Sequence, residues 1–182
     1  MDNQTEAERR EARGRLTFNL AKNERQYFTI KHDKRTGAYT LELRGNVNKA
    51  LNKPHTKAFE HLVQTIRQQD TVRVSISETY QTNNGPVLRT GANAGGGVTI
   101  YPQGSRSGDT EVYLARGGSP FPTFGVRGQV ISDPVSIIAA HEVLGHARLH
   151  MLGLPSGQRQ AIDVENEVRR GRGLEERDPN RP

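Results

Sequence analysis

The sequence predicts an α+β fold: a mostly antiparallel sheet with an internal helix, followed by a C-terminal pair of helices that carries a metal site. Three observations lead there. Short alternating apolar runs fill the first two thirds of the chain, one segment among them has helical periodicity, and the last third holds a long stretch almost free of helix breakers. The 182 residues are one domain's worth of chain, enough to bury about 70% of the surface an unfolded form exposes. Only 32% are apolar, which predicts much loop around a small core. The chain has no cysteine. That excludes a disulfide framework, a thiolate zinc site and a cysteine nucleophile, so any metal must be held by histidine and carboxylate.

Residues 1–14 are nearly all polar or charged and read as a flexible tail, residues 15–172 as a single domain, and residues 173–182 as a charged C-terminal tail. Leu16, Phe18 and Leu20 alternate, as do residues around Tyr27–Ile30 and then Tyr39, Leu41 and Leu43, with a turn at Asp33–Gly37 between the last two. This pattern predicts a meander of two or three strands. After Pro54, Phe59, Leu62, Val63 and Ile66 fall at i, i+3, i+4 and i+7, a helical stripe. Val72, Val74 and Ile76 predict a half-buried strand. Turn signals at Asn83–Pro86 and Gly95–Gly97 and short strands at Val98–Tyr101 and Glu111–Ala115 make up a loop-rich middle. The glycine run lacks the Lys-Ser/Thr of a phosphate loop and reads as turn. Asp133 as cap and Pro134 at the first position open a helix over Val135–Leu152, and Ser156 caps a second one to about Arg170, ended by Gly171.

Three of the six histidines fall within HEVLGHARLH, residues 141–150, on the first of these helices. Zinc-peptidase helices space two histidines i, i+4 so that both face one ion. His141 and His146 are i, i+5, about 140° apart on an ideal α-helix, and share a face only if a π-bulge absorbs the extra residue. Gly145 would allow one. His146 and His150 already have i, i+4 spacing, with Glu142 one turn earlier, and form a competing set that spacing alone favours. On the second helix, Ala161, Ile162, Val164 and Val168 make an apolar face with Glu165 inside it. A carboxylate in a packed face needs a cation, so Glu165 is the candidate third ligand, with Arg169 one turn on as a partner for it or for a substrate carboxylate. His32, His55 and His61 lie in polar context and read as surface residues.

HEVLGH resembles the HExxGH helix of the dipeptidyl peptidase III family, over six residues only. The final third, with AHEVLGHARLH followed by AIDVENEVRRGRGL, is similar to the zincin-type, gluzincin-like metallopeptidase domains at the C-termini of Rhs-type polymorphic toxins. That resemblance implies a Zn2+ cofactor held by His141, His146 and Glu165, with His150 as the alternative ligand, and Glu142 as catalytic base. It further implies a protein or peptide substrate, an immunity protein as partner, and delivery to target cells as part of a larger secreted toxin. No run approaches the roughly 18 apolar residues of a membrane span, and the N-terminus has no signal-peptide core, so a soluble protein without membrane partners is expected. The formal charge of +6 raises nucleic acid as a partner. The basic residues are dispersed among acids without an aromatic platform, which argues against it. A metal-dependent nuclease or other hydrolase toxin, and a non-catalytic zincin-like module, are the rival readings.

Overall fold

The computed structural model describes residues 5–82, 85–102 and 109–181. The first described element is helix α1, Glu6–Arg15, where a flexible tail was expected; residues 1–4 of that expected tail lie outside the described residues. The tail reading overlooked local signals: Thr5 and Glu8 form a reciprocal capping box, with acids in the first turn and arginines in the last. Arg15 is buried because Ala115 O and Arg116 O accept from its guanidinium and Glu11 pairs with it. Leu16, Phe18 and Leu20 are buried as expected, but not as a strand. Phe18 and Asn19 have φ of 48° and 58°, so this alternation belongs to a left-handed turn that presses all three apolar side chains into the core.

Strands β1 (Phe28–His32) and β2 (Tyr39–Leu43) pair antiparallel through the Asp33–Gly37 turn, with Ile30 opposite Leu41. A short helix α2 (Val47–Leu51), not foreseen, follows, and α3 (Lys57–Ile66) is capped by Thr56. Phe59, Leu62 and Val63 face the core from α3. β3 (Val72–Ile76) runs parallel to β7 (Thr110–Leu114), and β6 (Gly97–Ile100) is antiparallel to β7. The five-stranded order is β1-β2-β3-β7-β6, antiparallel except at β3-β7. The hairpin of β4 (Thr79–Gln81) and β5 (Val87–Arg89), helix α4 (Thr90–Ala94), and the hairpin of β8 (Thr123–Phe124) and β9 (Val130–Ile131) complete the middle. The turn expected at Asn83 and Asn84 lies outside the described residues.

The long C-terminal helix is continuous over α5 (Val135–Ala139), a π-helical segment (Ala140–Ala147) and α6 (Arg148–Met151). α7 (Gln158–Arg170) packs across the π-segment. Neither expected cap acts as one: Pro134 and Gly157 hold the cap positions without side-chain bonds, while the Asp133 carboxylate is turned to Arg169 and Thr123. One core joins Phe59 and Leu62 of α3, Val74 and Val112 of the sheet, and Ile137, Val143, Leu144 and Val168 of the C-terminal helices. The expected C-terminal tail is also corrected. Residues 174–178 lie against α7 and the β8-β9 hairpin, with an isolated bridge between Gly125 and Arg177, and Leu174 packs on the core. The fold is α+β, and among the described residues no helix is long and apolar enough to cross a membrane.

Candidate metal centre

The π-helical segment solves the register problem that the spacing posed. An i to i+5 turn stacks residues five apart, and the rings of His141 and His146 meet edge to face with centroids 4.9 Å apart. His141, Glu142 and His146 each offer a ligand atom, all within 4.8 Å of one another, and this group could hold a metal ion. His141 and Glu142 are buried and His146 is half-buried. Gly145 lies within the π-segment and also serves a second need. A β-carbon there would lie 3.0 Å from Ala161 Cα, so its absence lets the π-segment and α7 cross in close contact.

The two imidazoles are fixed from behind. Nδ1 of His141 donates to Glu165 Oε2 at 2.9 Å, and Nδ1 of His146 donates to the Ser156 carbonyl at 2.6 Å. With each Nδ1 committed as donor, the neutral tautomer leaves Nε2 of both rings as the lone-pair nitrogen, the arrangement metal-binding histidines use. Gln158 lies 3.3 Å from Nε2 of His146. Glu142 accepts from the Thr99 hydroxyl at 2.7 Å. Gly97 lets strand β6 come this close, since a side chain there would lie 2.7 Å from Glu142 Cγ.

Glu165 falls outside the three-residue group. One of its oxygens accepts from Arg169 Nε at 2.7 Å and the other from His141 and, at 3.3 Å, from Arg177. Burial alone would raise its pKa, but His141, Arg169 and Arg177 hold it down at about 2. Burial would lower His141, yet the bond to Glu165 and the charges of Glu142 and Glu165 raise it above its ordinary value. Burial and the Glu165 charge push Asp133 up. Of the two partners expected for Arg169, Glu165 or a substrate carboxylate, the structure has Glu165, and the arginine is only 1% exposed. It is spent on Glu165, Asp133 and the Ser132 carbonyl, and the network needs it there. His150, the alternative ligand, is exposed, stacks on Tyr101 with centroids 4.0 Å apart, and is not one of the three grouped residues. His61, expected on the surface, is buried against Glu167 of α7.

The three grouped side chains line a cavity of about 680 Å³. His141, Glu142, His146, Glu165 and Arg177 form its polar wall, and Phe121, Pro122 and Val98 its apolar side. β6 is the last strand of the sheet and borders the cavity through Gly97, Val98 and Thr99. Burial and the nearby Glu142 raise the Tyr101 pKa against the opposing Ser156 bond, so its hydroxyl stays protonated at neutral pH. Sequence reasoning missed Thr99, Ser156 and Arg177. Thr99 shares the alternation of β6 with Gly97, a signal that a helix contact on that face could have exploited. Arg177 carried none, being one charge in a charged run. No protein-family model, curated protein or solved structure matches the chain.

Proposed function

We propose that the chain is a zinc-dependent hydrolase, a metallopeptidase that acts as a toxin or effector domain. One observation carries the reading: the π-turn brings two imidazoles together with Nδ1 of each engaged as donor, beside a buried carboxylate at a cavity. Nε2 of His141 and of His146 would hold the ion, and two imidazoles with carboxylate nearby suit zinc. When bound, zinc supplies Lewis-acid polarisation of a carbonyl and acidifies water.

The remaining roles belong to the chain's own residues. Glu142, its carboxylate steadied by Thr99, takes the proton of the attacking water and passes it to the leaving amine. Glu165 orients His141 and the Ser156 carbonyl orients His146. The Tyr101 hydroxyl donates to the oxygen that gains charge, and the side of β6 that pairs with no strand among the described residues offers main-chain partners to an extended peptide. The toxin role rests on the resemblance of the final third to Rhs-type domains.

Incubation of the zinc-loaded protein with unfolded protein and with nucleic acid tests this reading. Cleavage of the protein alone is expected, with Glu142→Gln losing about 10²–10⁴-fold in rate while keeping its zinc. Cleavage of nucleic acid alone, or an unchanged Glu142→Gln, would overturn it.

A further inference from the structure

The segment that the charge pattern marks as a tail is bound to α7 by a two-way clamp. Asn166 Nδ2 donates to the Arg177 carbonyl at 2.9 Å, and the Arg177 amide donates to Asn166 Oδ1 at 2.7 Å. On its other side the Asp178 amide donates to the Phe124 carbonyl at 2.8 Å, and Gly125 bridges Arg177. All these bonds use main chain of the strap, at Arg177 and Asp178, so the strap is docked whatever the side chain at position 177. The side chain is thereby free for another task, and it lines the cavity of the metal centre.

Two arginines meet Glu165, and they are spent differently. Arg169 shares a helix with Glu165, takes the oxygen that His141 does not use, and closes the rest of its fork on Asp133 and Ser132. Arg177 comes from outside the helix and takes the same oxygen, Oε2, that accepts from His141 Nδ1. Its Nε is buried with no partner among the described residues. A guanidinium serving stability alone would close its fork as Arg169 does, because an unmet buried donor is costly. Arg177 gives up that bond and sits one oxygen atom away from the His141 ring.

We propose that Arg177 is a positioning residue of the metal centre: delivered by the clamped strap, it fixes the Glu165 oxygen that aims His141 at the ion. Resting on the zinc reading above, this inference gives residues 174–178 a part in the site. Partners of a ligating histidine change metal affinity about 10–100-fold when removed, without contacting the ion.

The test compares wild-type protein with Arg177→Ala in three measurements: thermal unfolding without metal, zinc affinity by chelator competition, and the visible bands of the cobalt-substituted protein. Arg177→Ala is expected to fold, to bind zinc about 10–100-fold more weakly, and to show shifted cobalt bands. A folded Arg177→Ala with wild-type affinity and unchanged bands overturns the inference and leaves the zinc reading intact. Wild-type protein that takes up neither ion overturns both. Should Arg177→Ala unfold, Arg177→Gln, which keeps part of the stem and the main-chain clamp, is measured in the same way and decides on the same outcomes.

Discussion

His61 and His141 are both buried, and each meets a glutamate of α7, His61 through Nε2 to Glu167 at 2.6 Å and His141 through Nδ1 to Glu165 at 2.9 Å. Their surroundings differ. Glu167 is 37% exposed at its side chain, whereas Glu165 is 1% exposed and backed by two arginines. Burial and the Arg148 charge lower the His61 pKa despite Glu167, while the glutamates around His141 raise its own. The second nitrogen of His61 is buried without a partner among the described residues, and that of His141 belongs to a group with Glu142 and His146 beside a cavity. A buried histidine–carboxylate pair is therefore not enough to make a candidate centre. The difference lies in a second imidazole, brought alongside by the π-turn, and in a carboxylate whose charge is paid for elsewhere in the fold.

The sharpest way to break this contrast is to neutralise each glutamate. Glu165→Gln leaves Arg169 buried with Asp133 as its remaining carboxylate, and is expected to cost about 3–5 kcal/mol in metal-free protein, against less than about 1 kcal/mol for the partly exposed Glu167→Gln. Chemical denaturation measures both, and equal losses would dissolve the distinction.

Acid should divide the pairs next. Glu165 is lowered from 4.5 to about 2, so its contribution is present above pH 4.5 and is lost as pH falls toward 2. A shift of that size corresponds to about 3 kcal/mol. His61 is lowered from 6.5, so its folded form resists protonation, and stability begins to fall earlier, as pH drops below 6.5. Denaturation midpoints across this range should show an early His61 component that His61→Gln removes and a later one that it does not.

A smaller effect tests the crossing that supports the site. Gly145→Ala pushes a methyl to 3.0 Å from Ala161 and should cost about 1–3 kcal/mol. Gly14→Ala, with open space in helix α1, should be neutral or stabilising by up to about 1 kcal/mol. Thermal unfolding of the two variants separates packing from helix propensity.

Much of the scaffold was legible because period and burial coincide. Val72, Val74 and the Phe59–Ile66 stripe lie where alternation and helical spacing place them. Leu16, Phe18 and Leu20 deceived because a left-handed turn can bury alternate residues as a strand does. At the site, the spacing of His141 and His146 already required a π-turn if they were to meet, while spacing alone favoured His146 with His150. The choice lies in tertiary structure, where His150 stacks on Tyr101 and is not one of the three grouped residues. The roles of Arg169, Arg177 and Glu165 were hidden for a further reason. An arginine in a polar run looks solvated until the partner that desolvates it is known, and here the partners come from β9's neighbours Ser132 and Asp133 and from the strap.

The measurement closest to the central claim is zinc stoichiometry and affinity in four proteins: wild type, His141→Ala, His146→Ala and His150→Ala. Pairing across the π-turn predicts about one zinc per chain in wild type and His150→Ala, with tight binding lost in His141→Ala and His146→Ala. Zinc retained in His141→Ala but lost in His150→Ala would contradict that pairing, and no zinc in the wild type would contradict the metal centre itself.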